Sequence, residues 1–410
     1  MILSTVRIEK RETDRPIEYD FPGWLKMRKL REVAVAGVGL TRFDSYDGEK
    51  GRPYKDFYEL GNEAIRQALS AAEMFWPEIQ AAFCGSVYCG TASGHQTIAR
   101  LGLTGIPIVN VENACSSGSS AFRLAYQSVG AELCDIAIAV GFEKMPRGFI
   151  ASTAWPEWQR KMGFNVQPAD YALETVRYME EFGVTIEDIS MVTVKNRRNG
   201  ALNPLARFRT PVKIDDVLSS RMIAKPMRLL HACPLADGGA AVILCSRKRL
   251  KSKSRAVTVA AAVLTSGTYG HAKGGGSVRV HTPSNVEISA QQAWDESGYG
   301  PRDMDVVQVY DTMASSELWD LENMGFCGKG EAPRLLREGA FDIGGKLPVN
   351  TDGGLMSRGH PLGATALAQI IEIYKQIRGE AGPRQVPGAM VGLAHVMGAG
   401  SNSGVVILKR

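Results

Sequence analysis

Residues 107–142 read PIVNVENACSSGSSAFRLAYQSVGAELCDIAIAVGF. The stretch opens on a short apolar run, Pro107–Val111, that suits a buried strand. Ser116–Gly130 follows, rich in small residues and long enough for a helix. Asp135–Phe142 is continuously apolar, which predicts a strand covered on both faces. Strand, helix and strand in this order make a βαβ unit, whose crossover is right-handed. Cys115 sits where the first strand turns into the helix.

The same rhythm extends outward. Val33–Gly39 and Ala81–Val87 read as strands around a helical pattern over Tyr54–Ala72, with Phe57, Leu60, Ala64 and Leu69 in register. Asp237–Cys245 is a further apolar strand. A second half repeats the alternation: strands at Val257–Leu264, Asp305–Tyr310, Met390–Val396 and Gly404–Leu408, helices at Asn285–Ser297, Ala314–Met324 and Pro361–Ile377. Alternation of this kind predicts an α/β fold with a mostly parallel sheet and helices on its faces. Between Glu143 and Leu235 strands vanish while Trp, Pro and Arg become frequent, so this region reads as an inserted helical and irregular subdomain. The expected organisation is an extension over 1–31, in which Phe21 and Trp24 dock on something, a first half over 32–250 with the insertion at about 143–235, and a second half over 255–410.

Composition narrows the function classes. The chain has 410 residues, enough for two or three domains at about 100–200 residues each. The 48 basic and 43 acidic residues leave a net charge of +5, which admits an anionic ligand but is no nucleic-acid footprint. No stretch reaches the roughly 18 apolar residues of a membrane span, and the charged N-terminus lacks the apolar core of a secretory signal. Seven scattered cysteines, Cys84 and Cys89 the one close pair, argue for a reducing, cytoplasmic setting and against a disulfide framework or a metal site in this chain.

Three segments carry chemistry. In VENACSSGSS (111–120), Cys115 at a helix start feels the positive end of the helix dipole, which predicts a lowered pKa and a nucleophilic thiolate. In NTDGGLMSRGHPLGAT (350–365), His360 lies at another helix start inside glycine-rich backbone, where the imidazolium is disfavoured and a neutral base is expected. In AHVMGAGSNSG (394–404), the backbone N–H of Gly398 could meet a developing oxyanion together with that of Cys115. A buried structural cysteine and a surface turn histidine are the plainer readings, and the flanking sequence weighs against both.

These three blocks, in this order and spacing, resemble the thiolase superfamily over about residues 31–410. Lys195–Arg207, Cys233-Pro234 with Asp237–Ala240, and Val309–Lys329 are similar to its sterol-carrier or lipid-transfer branch. The resemblance implies a five-layered αβαβα fold of two similar halves, a tight homodimer and an acyl-coenzyme A substrate, with coenzyme A itself as a second substrate. It also implies covalent thiolysis of a 3-oxoacyl-CoA, Cys115 as nucleophile and His360 as its base. Benzoylsuccinyl-CoA thiolases lie within this branch and work with a small zinc-finger/OB-fold partner subunit, so an aromatic substrate and such a partner are open.

The sequence departs from the family at one function. Thiolases use a second cysteine as acid and base, and here its two usual places hold Val396 and Thr312. Tyr310 is therefore the first choice to protonate the expelled enolate, with His395 or water on His360 as alternatives. Arg197, Arg198, Arg207 and Arg209 are candidates for the coenzyme A phosphates, or a solvated basic face. His231 has no assigned role. Two other readings compete: an aldolase-type lyase of 3-hydroxyacyl-CoA using Tyr310, and a non-catalytic lipid carrier on the same fold.

Overall fold

The computed structural model describes residues 30–147, 157–162, 166–250, 255–267 and 284–410. Apart from Leu30 and Arg31, the expected N-terminal extension with Phe21 and Trp24 lies outside the described residues. The first half runs β1 (Val33–Leu40), α1 (Phe57–Ala72), β2 (Ala81–Gly85), α2 (Ser93–Ala99), β3 (Ile108–Val111), α3 (Ser117–Gly130) and β4 (Ile136–Glu143). After β4 come α4 (Glu157–Lys161), α5 (Gln167–Phe182), α6 (Ile186–Ala201) and α7 (Ile214–Ser219), then a hairpin of β5 (Met222–Ala224) and β6 (Met227–Arg228). β7 (Gly238–Ser246) closes that half. The second half runs β8 (Val257–Ser266), α8 (Asn285–Ser297), β9 (Val306–Gln308), α9 (Ala314–Asn323), α10 (Ala332–Arg337), α11 (Gly354–Arg358), α12 (Leu362–Arg378), β10 (Val391–Gly398) and β11 (Asn402–Lys409).

Nine strands form one sheet in the order β3-β2-β4-β7-β1-β8-β11-β10-β9. The halves meet at β1 and β8, through Ala34 opposite Thr258 and Val35 opposite Val257. Outward from that junction both halves follow one plan. The half's first strand is followed by its last strand antiparallel, then the preceding strand antiparallel, then a parallel neighbour. The duplication expected from the rhythm is thus a duplication of topology.

The expectation of a mostly parallel sheet is corrected: five neighbouring pairs are antiparallel and three parallel. Unbroken apolar runs such as GGAAVILCS in β7 report burial on both faces, not strand direction. That burial comes from helices on either side. α1 covers β1, β7 and β4, and α8 covers β8 and β11. α3 and α12 pack against each other and each touches strands of both halves, so they form the layer between them. The result is the expected αβαβα arrangement.

The central layer is tight because it is built on glycine. A Cβ on Gly118 of α3 would stand 2.7 Å from the Gly363 carbonyl oxygen of α12, and one on Gly363 would stand 2.5 Å from the Gly85 carbonyl oxygen. Only glycine lets the two helix N-termini and the end of β2 approach this closely. Cys115 and His360 each stand two positions before the first residue of one of those helices.

Candidate active site

Cys115 occupies the strand-to-helix elbow, at the turn where the sequence places it. Ala114, just before it, adopts a left-handed φ of 49°. The turn is held by Ser117, whose hydroxyl accepts from the Asn113 N–H at 2.9 Å and donates to the Ala114 carbonyl at 2.6 Å. Such a turn aims the side chain away from strand and helix alike. Cys115 is buried, 8% exposed. Gly398 backs directly on the Asn113 carbonyl, where a Cβ would collide, so the glycine block at the end of β10 reaches the elbow.

His360 follows Gly359, whose φ of 101° only glycine adopts freely. Its Nδ1 lies 2.7 Å from the Thr365 hydroxyl, which donates its one proton to the Pro361 carbonyl at 2.9 Å. Thr365 must therefore accept from His360, which fixes the proton on Nδ1 and leaves Nε2 bare. The Tyr310 hydroxyl stands 3.2 Å from that bare Nε2 and so donates to it. The same hydroxyl acts on the Cys115 thiol, opposing the rise that burial imposes on it. The Tyr310 hydroxyl thus stands between the Cys115 thiol on which it acts and the His360 ring.

Electrostatics set the resting state of the three groups. Burial, with Glu143 adding to it and Tyr310 opposing it, pushes the Cys115 thiol up to about 11. This corrects the expectation of a lowered pKa: removal from water outweighs the helix dipole. Burial and then Arg358 push His360 down to about 3, so it is the neutral base expected. Burial raises Tyr310 as well. All three groups are neutral near pH 7.

A buried polar network that sequence reasoning missed positions Tyr310 and His360. Asp311 accepts from the backbone of Leu355 at 2.8 Å and Met356 at 3.3 Å, tying the tyrosine loop to α11 just ahead of His360. Asn196 donates to Asp311 and Glu317, each at 2.8 Å, and Lys195 pairs with Glu317 at 2.9 Å. Glu143 accepts from the backbone of Val87, Tyr88 and Gly363, at 3.0, 2.8 and 2.9 Å, linking β4 to the start of α12. Its burial pushes the carboxyl up to about 7. Tyr171 of α5 and Cys233 also lie within electrostatic range of Cys115. Their approach is made by pairing distant segments, which no local motif announces.

The remaining expected residues divide. His395 faces away from Val396 and is buried against Ser403 at 3.2 Å, with Asp320 3.5 Å from its Nδ1. It is not brought to Cys115. Arg207 donates to the Leu235 carbonyl at 2.7 Å and lines a cavity of about 340 Å³ with Asp47, Lys144, Arg147, Leu235 and Asp237. Leu235 bridges to His360, so this cavity adjoins the site. Arg197 is stacked on Phe208 at 4.1 Å, and Arg198 points outward to Asp342 at 2.5 Å; neither lines the cavity. Arg209 is exposed. His231 accepts from the Arg228 N–H and contacts Ser190 at 2.9 Å, a structural role. All seven cysteines are free thiols. Among the described residues, no group of three or more His, Cys, Asp or Glu could hold a metal, and no helix is long and apolar enough to cross a membrane.

Two family models match the chain: "Thiolase, N-terminal domain" over residues 33–248 and "Thiolase C-terminal domain-like" over residues 276–410. The benzoylsuccinyl-CoA thiolase subunit BbsB of Thauera aromatica is 38% identical over 384 residues, covering 91% of this chain and 96% of that protein. Sterol carrier protein 2 of Bos taurus is 35% identical over 394 residues, covering 92% of this chain and 72% of that protein. A solved structure described as an Ltp2-ChsH2(DUF35) aldolase superposes with a TM-score of 0.81 at 24% identity, covering 92% of this chain and 98% of that one.

Proposed function

The chain belongs to the thiolase family, and from that premise we propose that it is an acyl-CoA C-acyltransferase that cleaves or forms a 3-oxoacyl-CoA through an acyl-Cys115 intermediate. The observation that carries this reading is the Tyr310 hydroxyl, which lies 3.2 Å from the bare Nε2 of His360 and acts on the buried Cys115 thiol. A buried thiol becomes a nucleophile only if its proton can leave. Here Tyr310 passes its own proton to His360 and takes that of Cys115. The sulfur attacks the keto carbon, and the N–H groups of Cys115 and Gly398 are our candidates for the oxyanion. Breakage of the carbon–carbon bond expels an acyl-CoA enolate, and coenzyme A then takes the acyl group from Cys115. This gives Tyr310 a different duty from the enolate donor expected of it, because its proton is committed to His360.

Coenzyme A is the acyl acceptor in this reading. Arg207, joined by Lys144 and Arg147 of the same cavity, is our choice for its phosphates. Cys115 acts electrostatically on Tyr88, Tyr171 and Tyr310, and aromatic rings within its range suit an aromatic acyl group such as that of benzoylsuccinyl-CoA. β3 is an edge strand with Val109 40% exposed, which suits pairing with a second copy. The relative named as a thiolase subunit supports a two-protein enzyme, and seven free thiols suit a reducing, cytoplasmic setting. Retro-aldol cleavage is the second reading. The neutral Tyr310–His360 pair favours it, since that pair could take the proton of a 3-hydroxyl without Cys115. The test is coenzyme A-dependent cleavage of acetoacetyl-CoA and benzoylsuccinyl-CoA. The wild type should yield two acyl-CoA products, and Cys115→Ser should lose at least about three orders of magnitude. Equal turnover in the serine variant would sink the covalent route.

A further inference from the structure

A thiolytic cycle needs protons in two places, and the Cys115–Tyr310–His360 chain serves one of them. The other is the carbon of the expelled enolate. We propose that Cys233 is the second proton donor, giving its thiol proton to that carbon and recovering one from the incoming coenzyme A. The inference rests on the acyl-transfer reading above.

The placement of Cys233 carries it. The Cys233 N–H donates to the Thr312 carbonyl at 2.9 Å, and Ala232 bridges to Met313, so the segment lies against the loop that bears Tyr310. Its next two residues hold the base: the His360 N–H donates to the Pro234 carbonyl at 3.0 Å, and Leu235 bridges to His360. Cys233 is the one side chain of this tie, residues 232–235, with an acidic hydrogen. Cys115 acts electrostatically on it and it acts on Tyr310, so the three groups lie within range of one another. The Thr312 hydroxyl, 3.5 Å from its sulfur, can donate to the thiolate left behind. Burial pushes the thiol up to about 12, which keeps it protonated near pH 7 and suits a donor rather than a resting base. His395 faces the far side of β10 and Tyr310 has spent its hydrogen on His360, and Tyr171 of α5, also within range of Cys115, lies outside the segment that holds His360.

The steps balance. The Cys115 proton passes through Tyr310 to His360 as the sulfur–carbon bond forms. The carbon–carbon bond breaks and its electron pair goes to the enolate carbon, which takes the Cys233 proton. Coenzyme A gives its thiol proton to the Cys233 thiolate and attacks the acyl carbon. Cys115 leaves as thiolate and regains its proton from His360 through Tyr310.

The test separates the reactivity of Cys115 from carbon protonation. Mass spectrometry follows alkylation of Cys115 by iodoacetamide, which needs no proton from Cys233, and NMR follows deuterium uptake from heavy water at the carbon beside the thioester of acetyl-CoA and succinyl-CoA. Cys233→Ala should be alkylated at Cys115 within about threefold of the wild type, which also reports on its fold, while deuterium uptake falls by about 10²–10⁴. Wild-type deuterium uptake in Cys233→Ala would overturn the assignment while the thiolase reading stands. Equal loss of both reactions would make Cys233 a packing residue and would overturn it too. A wild type that takes up no deuterium into either probe would defeat the thiolase reading and this inference together.

Discussion

Cys115 has no cation among the groups that act on it, so in the proposed mechanism its thiolate forms only as Tyr310 and His360 take its proton. With the thiol at about 11, alkylation by iodoacetamide should rise about tenfold per pH unit from neutrality and level only near pH 11. A plateau near pH 7 would mean a lowered pKa and contradict the burial argument. Tyr310→Phe keeps the ring but breaks the chain. Acylation of Cys115 should fall by about 10²–10⁴ while the melting temperature stays close to wild type; unimpaired acylation would mean His360 reaches the thiol without the tyrosine. Cys115 and His360 were legible in the sequence because each announces itself locally, as one residue at a helix start within small neighbours. The hydroxyl that joins them was legible only as a candidate, since its partners come from segments 195 residues before it and 50 after it. The direction of the Cys115 shift was not legible, because a helix start can be read from sequence and its degree of burial cannot.

At the scale of elements, the site depends on how closely α3 and α12 meet. Gly118→Ala would press a methyl on the Gly363 carbonyl and force the helices apart. Overpacking of this kind costs about 1–3 kcal/mol, and kcat should fall at least about tenfold because a small misplacement of His360 interrupts the chain. Denaturation and steady-state kinetics on the same variant check both, and a variant with unchanged kcat would show that the spacing is not critical. The polar network under α11 is the second support. Lys195→Met removes the partner of fully buried Glu317 and the donor to the Val349 carbonyl. Stranding a buried charge costs about 3–5 kcal/mol, and an unchanged denaturation midpoint would mean Glu317 does not depend on Lys195. Helix and strand positions were readable because periodicity reports which faces are covered. Strand direction was not, because helices on both faces make antiparallel β7 as apolar as a parallel strand. Short α2, α10 and α11 lack the repeated pattern that marks a longer helix.

Across the whole molecule, two halves of one topology put two helix N-termini side by side, and the chemistry sits where they meet. The open edge at β3 gives a further expectation. Light scattering should find a homodimer, and Val109→Lys, which places a charge on that edge, should shift it toward monomer; a dimer insensitive to the change would have its interface elsewhere. Of the expected phosphate ligands only Arg207 lines the cavity next to His360, because Arg198 is taken up by Asp342 and Arg197 by Phe208. The central claim is a covalent acyl group on Cys115, and trapping it is the most direct test. The enzyme is quenched within one turnover of acetoacetyl-CoA or benzoylsuccinyl-CoA, and its peptides are mapped by mass spectrometry. The account predicts an acyl group on the peptide holding Cys115, absent from Cys115→Ser and removed by added coenzyme A. Carbon–carbon cleavage with no acylated Cys115, persisting in Cys115→Ser, would contradict it and favour retro-aldol chemistry on the same fold.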